Sequence, residues 1–235
     1  MTAFVPREWI AGATREHRKA EEVIRALSDD DVRRPSMLPG WSRGHVVTHI
    51  ARNADAMRQM AEAARDGRSV LMYPGGADQR IGDIESGSVR PVAELVADVT
   101  ESNAALEAEW SLLPDEIWTE GIGYRTAGAA TLADFAFLRW RETAIHVIDL
   151  GAPGSDPAAQ WRSLDPAYLD EEWRWTTPGL GERVPGTHTL ILAPGDRPSR
   201  AFGTGAQTIV ARDPVPDLLA WITGRAPGPL ELAPW

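Results

Sequence analysis

Apolar residues recur at helical spacing through the first 150 residues, separated by runs rich in Pro, Gly, Asp and Ser. Ser42 stands at a favourable N-cap position, and Thr131 with Asp134 makes the TxxD pattern of a helix start. The segment 66–88 is rich in Gly, Asp and Ser and is predicted to be a long loop. The predicted helices cover residues 5–28, 42–65, 91–113 and 131–151.

The pattern changes after residue 150 and predicts a second, smaller domain. The turn-rich run GAPGSDP is a predicted linker, and Asp165 with Pro166 then indicates the start of another helix. Three strands and a last helix follow. These segments cover 187–193, 198–203, 206–212 and 215–225. The predicted fold class is therefore α+β multidomain, with a four-helix bundle at 1–152 and a small α+β domain at 158–235.

The composition narrows the possible functions. A net charge of -10 without any cluster of Lys or Arg argues against a nucleic-acid-binding protein. The sequence has neither a run long enough to span a membrane nor the apolar core of a signal peptide, so we expect a cytoplasmic protein without a membrane partner. The chain contains no cysteine, so a small molecule must supply any thiol that the chemistry needs.

Two pairs of ionisable residues at i, i+4 spacing fall on two of the predicted helices. Glu142 and His146 share one face of the fourth helix, and His45 and His49 share one face of the second. Solvent or neighbouring side chains can satisfy such pairs, but a shared metal ion would satisfy both at once. Two histidines and one glutamate suit zinc with an open fourth position, and also iron, nickel or cobalt. The spacing alone leaves open whether His45 or His49 is the ligand.

A few other polar residues are candidates for roles near such a site. Asn53 shares a helical face with His49 and is a candidate pocket residue. Asp149 could orient a ligand histidine through a hydrogen bond. Arg225, at the end of the last helix, would either cap that helix or bind a carboxylate of the substrate. His17 lies near the apolar face of the first helix and is predicted to be a packed histidine.

Two segments resemble the mycothiol-dependent maleylpyruvate isomerases: PGWSRGHVVTHIARNADAM at 39–57 and RWRETAIHVIDLG at 139–151. The resemblance extends through the smaller domain, including LLAWITGR, and covers nearly the whole chain. It implies a DinB-like four-helix bundle with a metal site, followed by a small α+β domain. The zinc ligands that it implies are His49, Glu142 and His146.

The same resemblance implies roles for the remaining candidates. His45 becomes a neighbour of the metal that does not ligate it, and we assign His45 and Asn53 to binding of the thiol cofactor. Arg225 matches an arginine that the resemblance places near the substrate. The implied cofactors are a divalent metal, expected to be zinc, and mycothiol, and the implied partner is a small anionic or electrophilic substrate.

The implied activity is the cis-trans isomerisation of maleylpyruvate to fumarylpyruvate. A zinc-activated thiolate would add to the double bond, allow rotation and then leave. In one alternative the protein is a zinc-dependent S-transferase, and mycothiol or another low-molecular-weight thiol stays on a different electrophile. In another it is a regulatory metal-binding module without catalysis, with its coordination sphere filled and no pocket beside it.

Overall fold

The computed structural model describes residues 4–125 and 128–234, which divide into two units, Met1–Ser155 and Asp156–Trp235. The chain is mainly helical with small sheets, as the predicted α+β class requires. The elements of the first unit are α1 (Arg7–Arg25), α2 (Asp29–Arg33), α3 (Arg43–Arg65), α4 (Gly76–Ser88), α5 (Val92–Leu112), α6 (Ile117–Glu120), β1 (Ile122–Arg125), β2 (Gly128–Thr131) and α7 (Leu132–Asp149).

The core of the first unit is built by its long helices, which correspond to the four predicted from the apolar spacing. Helix α1 packs against α5 and α7, and α3 packs against the same two helices. Each buried aliphatic side chain contributes roughly 1.5–3 kcal/mol relative to its exposed state. Buried residues at the centre of one packed cluster include Ala20, Ile24, Val47, Ile50, Leu95, Val99 and Val147.

Helices α3 and α7 begin where the sequence predicts. Ser42 Oγ accepts from the backbone N–H of His45 at 3.4 Å, and Thr131 Oγ1 accepts from that of Asp134 at 3.1 Å. In both helices the side chain of the third residue accepts a hydrogen bond from the backbone N–H of the N-cap residue, which completes a capping box. These caps fix the starts of the two helices on which the candidate metal ligands lie.

The prediction of a loop throughout 66–88 is wrong, because residues Gly76–Ser88 form α4, which packs against α3. The buried residues of this helix are Ile84, Gly87 and Ser88, so an apolar stripe of the usual width is missing. A Cβ atom on Gly87 would come within 2.4 Å of Thr48 Cγ2. A glycine that suggests a loop therefore allows two helices to approach closely.

The connection at 114–130 contains α6 and the antiparallel hairpin of β1 and β2. The chain preceding α4 is attached to this hairpin through its backbone. The N–H of Met72 donates to the carbonyl oxygen of Tyr124 at 2.8 Å, and the N–H of Tyr124 donates to that of Val70 at 3.2 Å. The backbone around Leu71 therefore has a fixed position although the Leu71 side chain is largely exposed.

The second unit contains a three-stranded sheet and short helices. Strand β3 is central and pairs antiparallel with β4 and parallel with β5, and helices α8 and α9 pack against α11. The three predicted strands are present, and the sequence analysis missed α8 and α10. The elements are α8 (Pro157–Arg162), α9 (Pro166–Thr176), α10 (Leu180–Arg183), β3 (His188–Leu192), β4 (Arg200–Phe202), β5 (Gln207–Ala211) and α11 (Val215–Ile222). Across the described residues of both units, every helix is too short or too polar to cross a membrane.

Candidate metal centre

Three of the predicted site residues converge where α3 and α7 lie side by side. His49 Nε2 is 3.1 Å from both Glu142 Oε2 and His146 Nε2. His146 Nε2 is 3.3 Å from Glu142 Oε2, since the two residues are one helical turn apart on α7. One nitrogen or oxygen from each residue lies within 4.8 Å of the other two, so together they could hold a metal ion.

The distances between these three ligand atoms suit an ion with tetrahedral coordination. Ligand atoms at about 2.0–2.1 Å from a zinc ion lie roughly 3.3 Å from one another, close to the three distances in this cluster. The side chains of Glu142 and His146 are 26% and 13% exposed, whereas that of His49 is 6% exposed. Solvent therefore reaches the cluster from the α7 side, where a fourth ligand could enter.

Burial and mutual hydrogen bonds set the charges of the three residues. Burial lowers the pKa of His49 to about 4, although the hydrogen bond with Glu142 opposes it. Burial raises the pKa of Glu142, but hydrogen bonds with His146 and His49 outweigh it and hold this pKa well below its usual value. Burial lowers the pKa of His146, but hydrogen bonds with Asp149 and Glu142 outweigh burial, so this pKa is raised above its usual value.

Each histidine of the cluster is oriented through its other ring nitrogen. His146 Nδ1 lies 2.9 Å from Oδ2 of Asp149, which is fully buried, so Asp149 has the orienting position that the sequence predicts. His49 Nδ1 lies 3.2 Å from Arg80 Nη2. A guanidinium group only donates, so His49 accepts there and its ring proton sits on Nε2, facing Glu142. Trp41 packs edge-on against the His49 ring, with centroids 5.6 Å apart.

Arg80 and Tyr73 are functional candidates that the sequence analysis missed. Arg80 lies on α4, the helix that was predicted to be loop, and its guanidinium carbon is 5.4 Å from the centre of the Tyr73 ring. The Tyr73 hydroxyl hydrogen-bonds with Arg80 and Asn53, and burial raises its pKa. Neither residue belongs to a recognisable motif, so no signal in the sequence could have identified them.

The other predicted site residues lie outside the cluster. His45 Nδ1 belongs to the capping box of α3, and its Nε2 is 3.2 Å from Glu85 Oε2. Asn53 is buried and accepts a hydrogen bond from Arg139. Arg225 belongs to the second unit and donates to the carbonyl oxygen of Thr223 at 2.7 Å. The cofactor-binding roles of His45 and Asn53 and the substrate-binding role of Arg225 stay predictions.

A second polar cluster lies one turn away and surrounds Arg139, which is fully buried. Its guanidinium donates to the carbonyl oxygen of Ile50 at 2.9 Å and to Asn53 Oδ1 at 2.8 Å. It also donates to Asn103 Oδ1 at 2.6 Å and to His17 Nε2 at 2.9 Å. His17 is therefore packed in the interior, as predicted. Through these contacts one side chain of α7 is linked to α1, α3 and α5.

Comparison with known proteins identifies the first unit. Residues 13–151 match the family described as the mycothiol maleylpyruvate isomerase N-terminal domain. The chain belongs to this family. The matched segment includes His49, Glu142 and His146, so the whole candidate centre lies within the family domain. Among curated protein sequences, none matches this chain.

Two solved structures related to this family resemble the chain over nearly its whole length. The crystal structure of a mycothiol-dependent maleylpyruvate isomerase has a TM-score of 0.83 and 20% identity, covering 99% of this chain and 95% of that chain. A histidine-to-alanine mutant of a mycothiol-dependent maleylpyruvate isomerase has the same TM-score and identity, covering 96% of this chain and 93% of that chain. At this identity the likeness shows a shared fold.

Proposed function

We propose that this family member is a metal- and thiol-dependent cis-trans isomerase that converts maleylpyruvate to fumarylpyruvate with mycothiol as the thiol. The observation that carries the proposal is the convergence of His49, Glu142 and His146 in a chain without cysteine. In such a chain any thiol must come from outside, and a metal ion held by the three residues could activate it. The family match and the names of the similar crystal structures support this choice of thiol and substrate.

We assign a divalent cation, zinc by its ligand types, to Nε2 of His49, Oε2 of Glu142 and Nε2 of His146. When bound, such a cation keeps a thiol deprotonated near neutral pH. Asp149 fixes the His146 ring so that Nε2 faces the site, and Trp41 covers one side of His49. These residues hold the ligand atoms in position before the substrate arrives.

The chemistry proposed for the substrate balances without a further reactant. The mycothiol thiolate forms a bond to one alkene carbon, and the π electron pair moves to the conjugated carbonyl as an enolate. Rotation about the resulting single bond follows, and the enolate then re-forms the double bond and expels the thiolate. A nearby cation would stabilise the enolate, and Arg225 remains the predicted residue for this role.

A second candidate function, a thiol S-transferase acting on a different electrophile, shares the first step but keeps the new carbon–sulfur bond. One observation favours it: a cavity of about 530 Å³ beside Arg80 is large and mostly apolar for a small diacid such as maleylpyruvate. The product separates the two functions, because a stable thioether accumulates only with a transferase.

The decisive experiment measures maleylpyruvate isomerisation by zinc-loaded protein with and without mycothiol, together with its zinc content. We expect fumarylpyruvate to form only when mycothiol is present. A thioether product would favour the transferase. Failure to turn over maleylpyruvate with mycothiol, in protein that retains one zinc ion per chain, would contradict the isomerase.

A further inference from the structure

A cavity of about 530 Å³ opens in the first unit, and one of its lining residues, Arg80, contacts His49 of the candidate metal centre. Its walls come from the chain that precedes α4, the first turns of α4 and strand β1. The volume lies within the range of about 300–1,000 Å³ that is common for small-molecule sites. The side chains that matter for its chemistry are Leu71, Met72, Tyr73, Arg80, Tyr124 and Arg125.

The apolar side chains that line this cavity are exposed to solvent, but the backbone that carries them is hydrogen-bonded. The Leu71 and Tyr124 side chains are 58% and 44% exposed, although Leu71 and Tyr124 form a β-bridge. Large apolar side chains that are fixed in a concave site and left uncovered favour a ligand with apolar surface. Covering them contributes about 25 cal/mol for each Å² removed from water.

Two arginines line the cavity, Arg80 and Arg125, and Arg80 connects it to the metal centre. Its Nη2 reaches His49 Nδ1, and its guanidinium lies over the Tyr73 ring. Among the ion pairs between described residues, Arg80 has no carboxylate partner, whereas Arg52 and Arg90 both pair with Asp98. A guanidinium has five donors in a planar fork that matches a carboxylate, and the contacts with His49 and Tyr73 use only some of them.

We propose that this cavity binds the electrophilic substrate, and that the site takes carboxylates with an apolar body. Arg80 binds the carboxylate, and the body lies against Leu71 and Tyr124. The inference rests on the thiol addition of the proposed function, which the isomerase and the transferase share, because Arg80 contacts His49 of the centre that would hold the thiol.

The test uses calorimetry with three probes that need neither thiol nor turnover. Trans-cinnamate has both a carboxylate and an apolar body, cinnamide has the same shape without the charge, and fumarate has the charge without the body. We expect zinc-loaded protein to bind cinnamate at least tenfold more tightly than either of the others. This order would follow from the pairing of one cation with an apolar wall.

Two variants with matched controls assign the contacts. Arg80→Gln should remove the preference for cinnamate over cinnamide, while Arg58→Gln, which changes an α3 arginine paired with Glu62, should retain it. Leu71→Asn should weaken cinnamate binding about threefold to tenfold. Leu112→Asn, at a site that is 59% exposed on α5, should leave it unchanged.

Two outcomes with Arg80→Gln would overturn the inference. One is equal affinity of Arg80→Gln and the unaltered protein for cinnamate. The other is binding that disappears with the zinc ion but not in Arg80→Gln, which would assign the carboxylate to the metal. Protein that binds the probes as expected but does not isomerise maleylpyruvate would retain this site and lose the proposed function. Protein that isomerises maleylpyruvate without discriminating among the probes would retain the proposed function and lose this site.

Discussion

Two polar clusters lie one helical turn apart on α3 and α7, and they are satisfied in different ways. Around Arg139, acceptor atoms from several helices converge on a guanidinium that the chain itself supplies. At His49, Glu142 and His146, ligand atoms converge on one another at 3.1–3.3 Å. The first arrangement surrounds a cation of the chain itself, whereas the second brings together three ligand atoms that could hold a metal ion. Similar buried polar faces can therefore have structural or chemical purposes.

The charge of Arg139 is balanced at a distance. His17 Nδ1 is 2.7 Å from Oε1 of Glu107, and Asn103 donates to Glu21 at 3.1 Å. Two of the residues that accept from Arg139 therefore each contact a carboxylate. Burial lowers the pKa of Arg139 to about 10, and the charge of Glu142 opposes this shift. Arg139 therefore stays charged at neutral pH, and the two clusters interact electrostatically.

The comparison is tested most strongly by removing a ligand of the metal centre. His49→Ala should abolish metal retention, because it leaves two ligands from a single helix. His45→Ala is the matched control on the same helix, and we expect it to retain the metal. Metal content after dialysis against a chelator measures both variants. Unchanged metal content in His49→Ala would move the ligand role to His45.

Removing the internal cation should affect stability instead. Arg139→Met leaves Asn53, Asn103 and His17 without their shared donor, and breaking a buried charged network costs about 3–5 kcal/mol. Urea unfolding of metal-free protein measures this loss in the free energy of unfolding. Arg7→Met, at an exposed position at the start of α1, is the control and should change stability little. A stability equal to that of the unaltered protein would mean that the network is not needed for folding.

His17 should make the Arg139 cluster sensitive to acid. Burial lowers the pKa of His17 to about 4, below its value of 6.5 in the unfolded chain. The unfolded state therefore binds more protons between these values, and stability falls as the pH decreases from 6.5 to 4. The loss amounts to roughly 3 kcal/mol, and His17→Gln should lack it. Free energies of unfolding at several pH values measure the difference, and parallel curves for the two proteins would contradict it.

The smallest expected effect concerns the residue that orients His146. Asp149→Asn keeps the size of the side chain but weakens the acceptor at Nδ1, so metal affinity should fall about 10–100-fold. Asp66→Asn, at an exposed position after α3, should not alter the affinity. Competition with a chromogenic chelator gives both constants. Equal affinities for the two variants would leave Asp149 with a role in packing alone.

The sequence predicted those parts of the fold that depend on local pattern. Ser42 and Thr131 mark helix starts because capping residues act over three positions, and apolar spacing identifies helices with one buried face. The spacing of Glu142 and His146 indicated a shared helical face for the same reason. His45 and His49 are also four residues apart on one helix, and this spacing did not show which of them is a ligand. Only the packed helices show which ring faces α7.

The missed features depend on contacts that are distant in sequence. Helix α4 has few buried residues, and its Gly87 serves the close approach to α3, so the local pattern indicated a loop, and Arg80 went unnoticed with it. Arg139 stands in an apolar run, where a charged residue ordinarily faces solvent. Its burial depends on acceptors from three other helices.

The way in which the chain before α4 is attached has a consequence for the divergence of this protein. Main-chain hydrogen bonds hold it on the hairpin, while side chains such as Leu71 and Tyr124 point away from the core. Replacing those side chains leaves the packing of the long helices undisturbed. Mutations there can therefore accumulate at little cost to folding, and under the proposed binding site they would change the preferred substrate without altering the ligands of the metal centre.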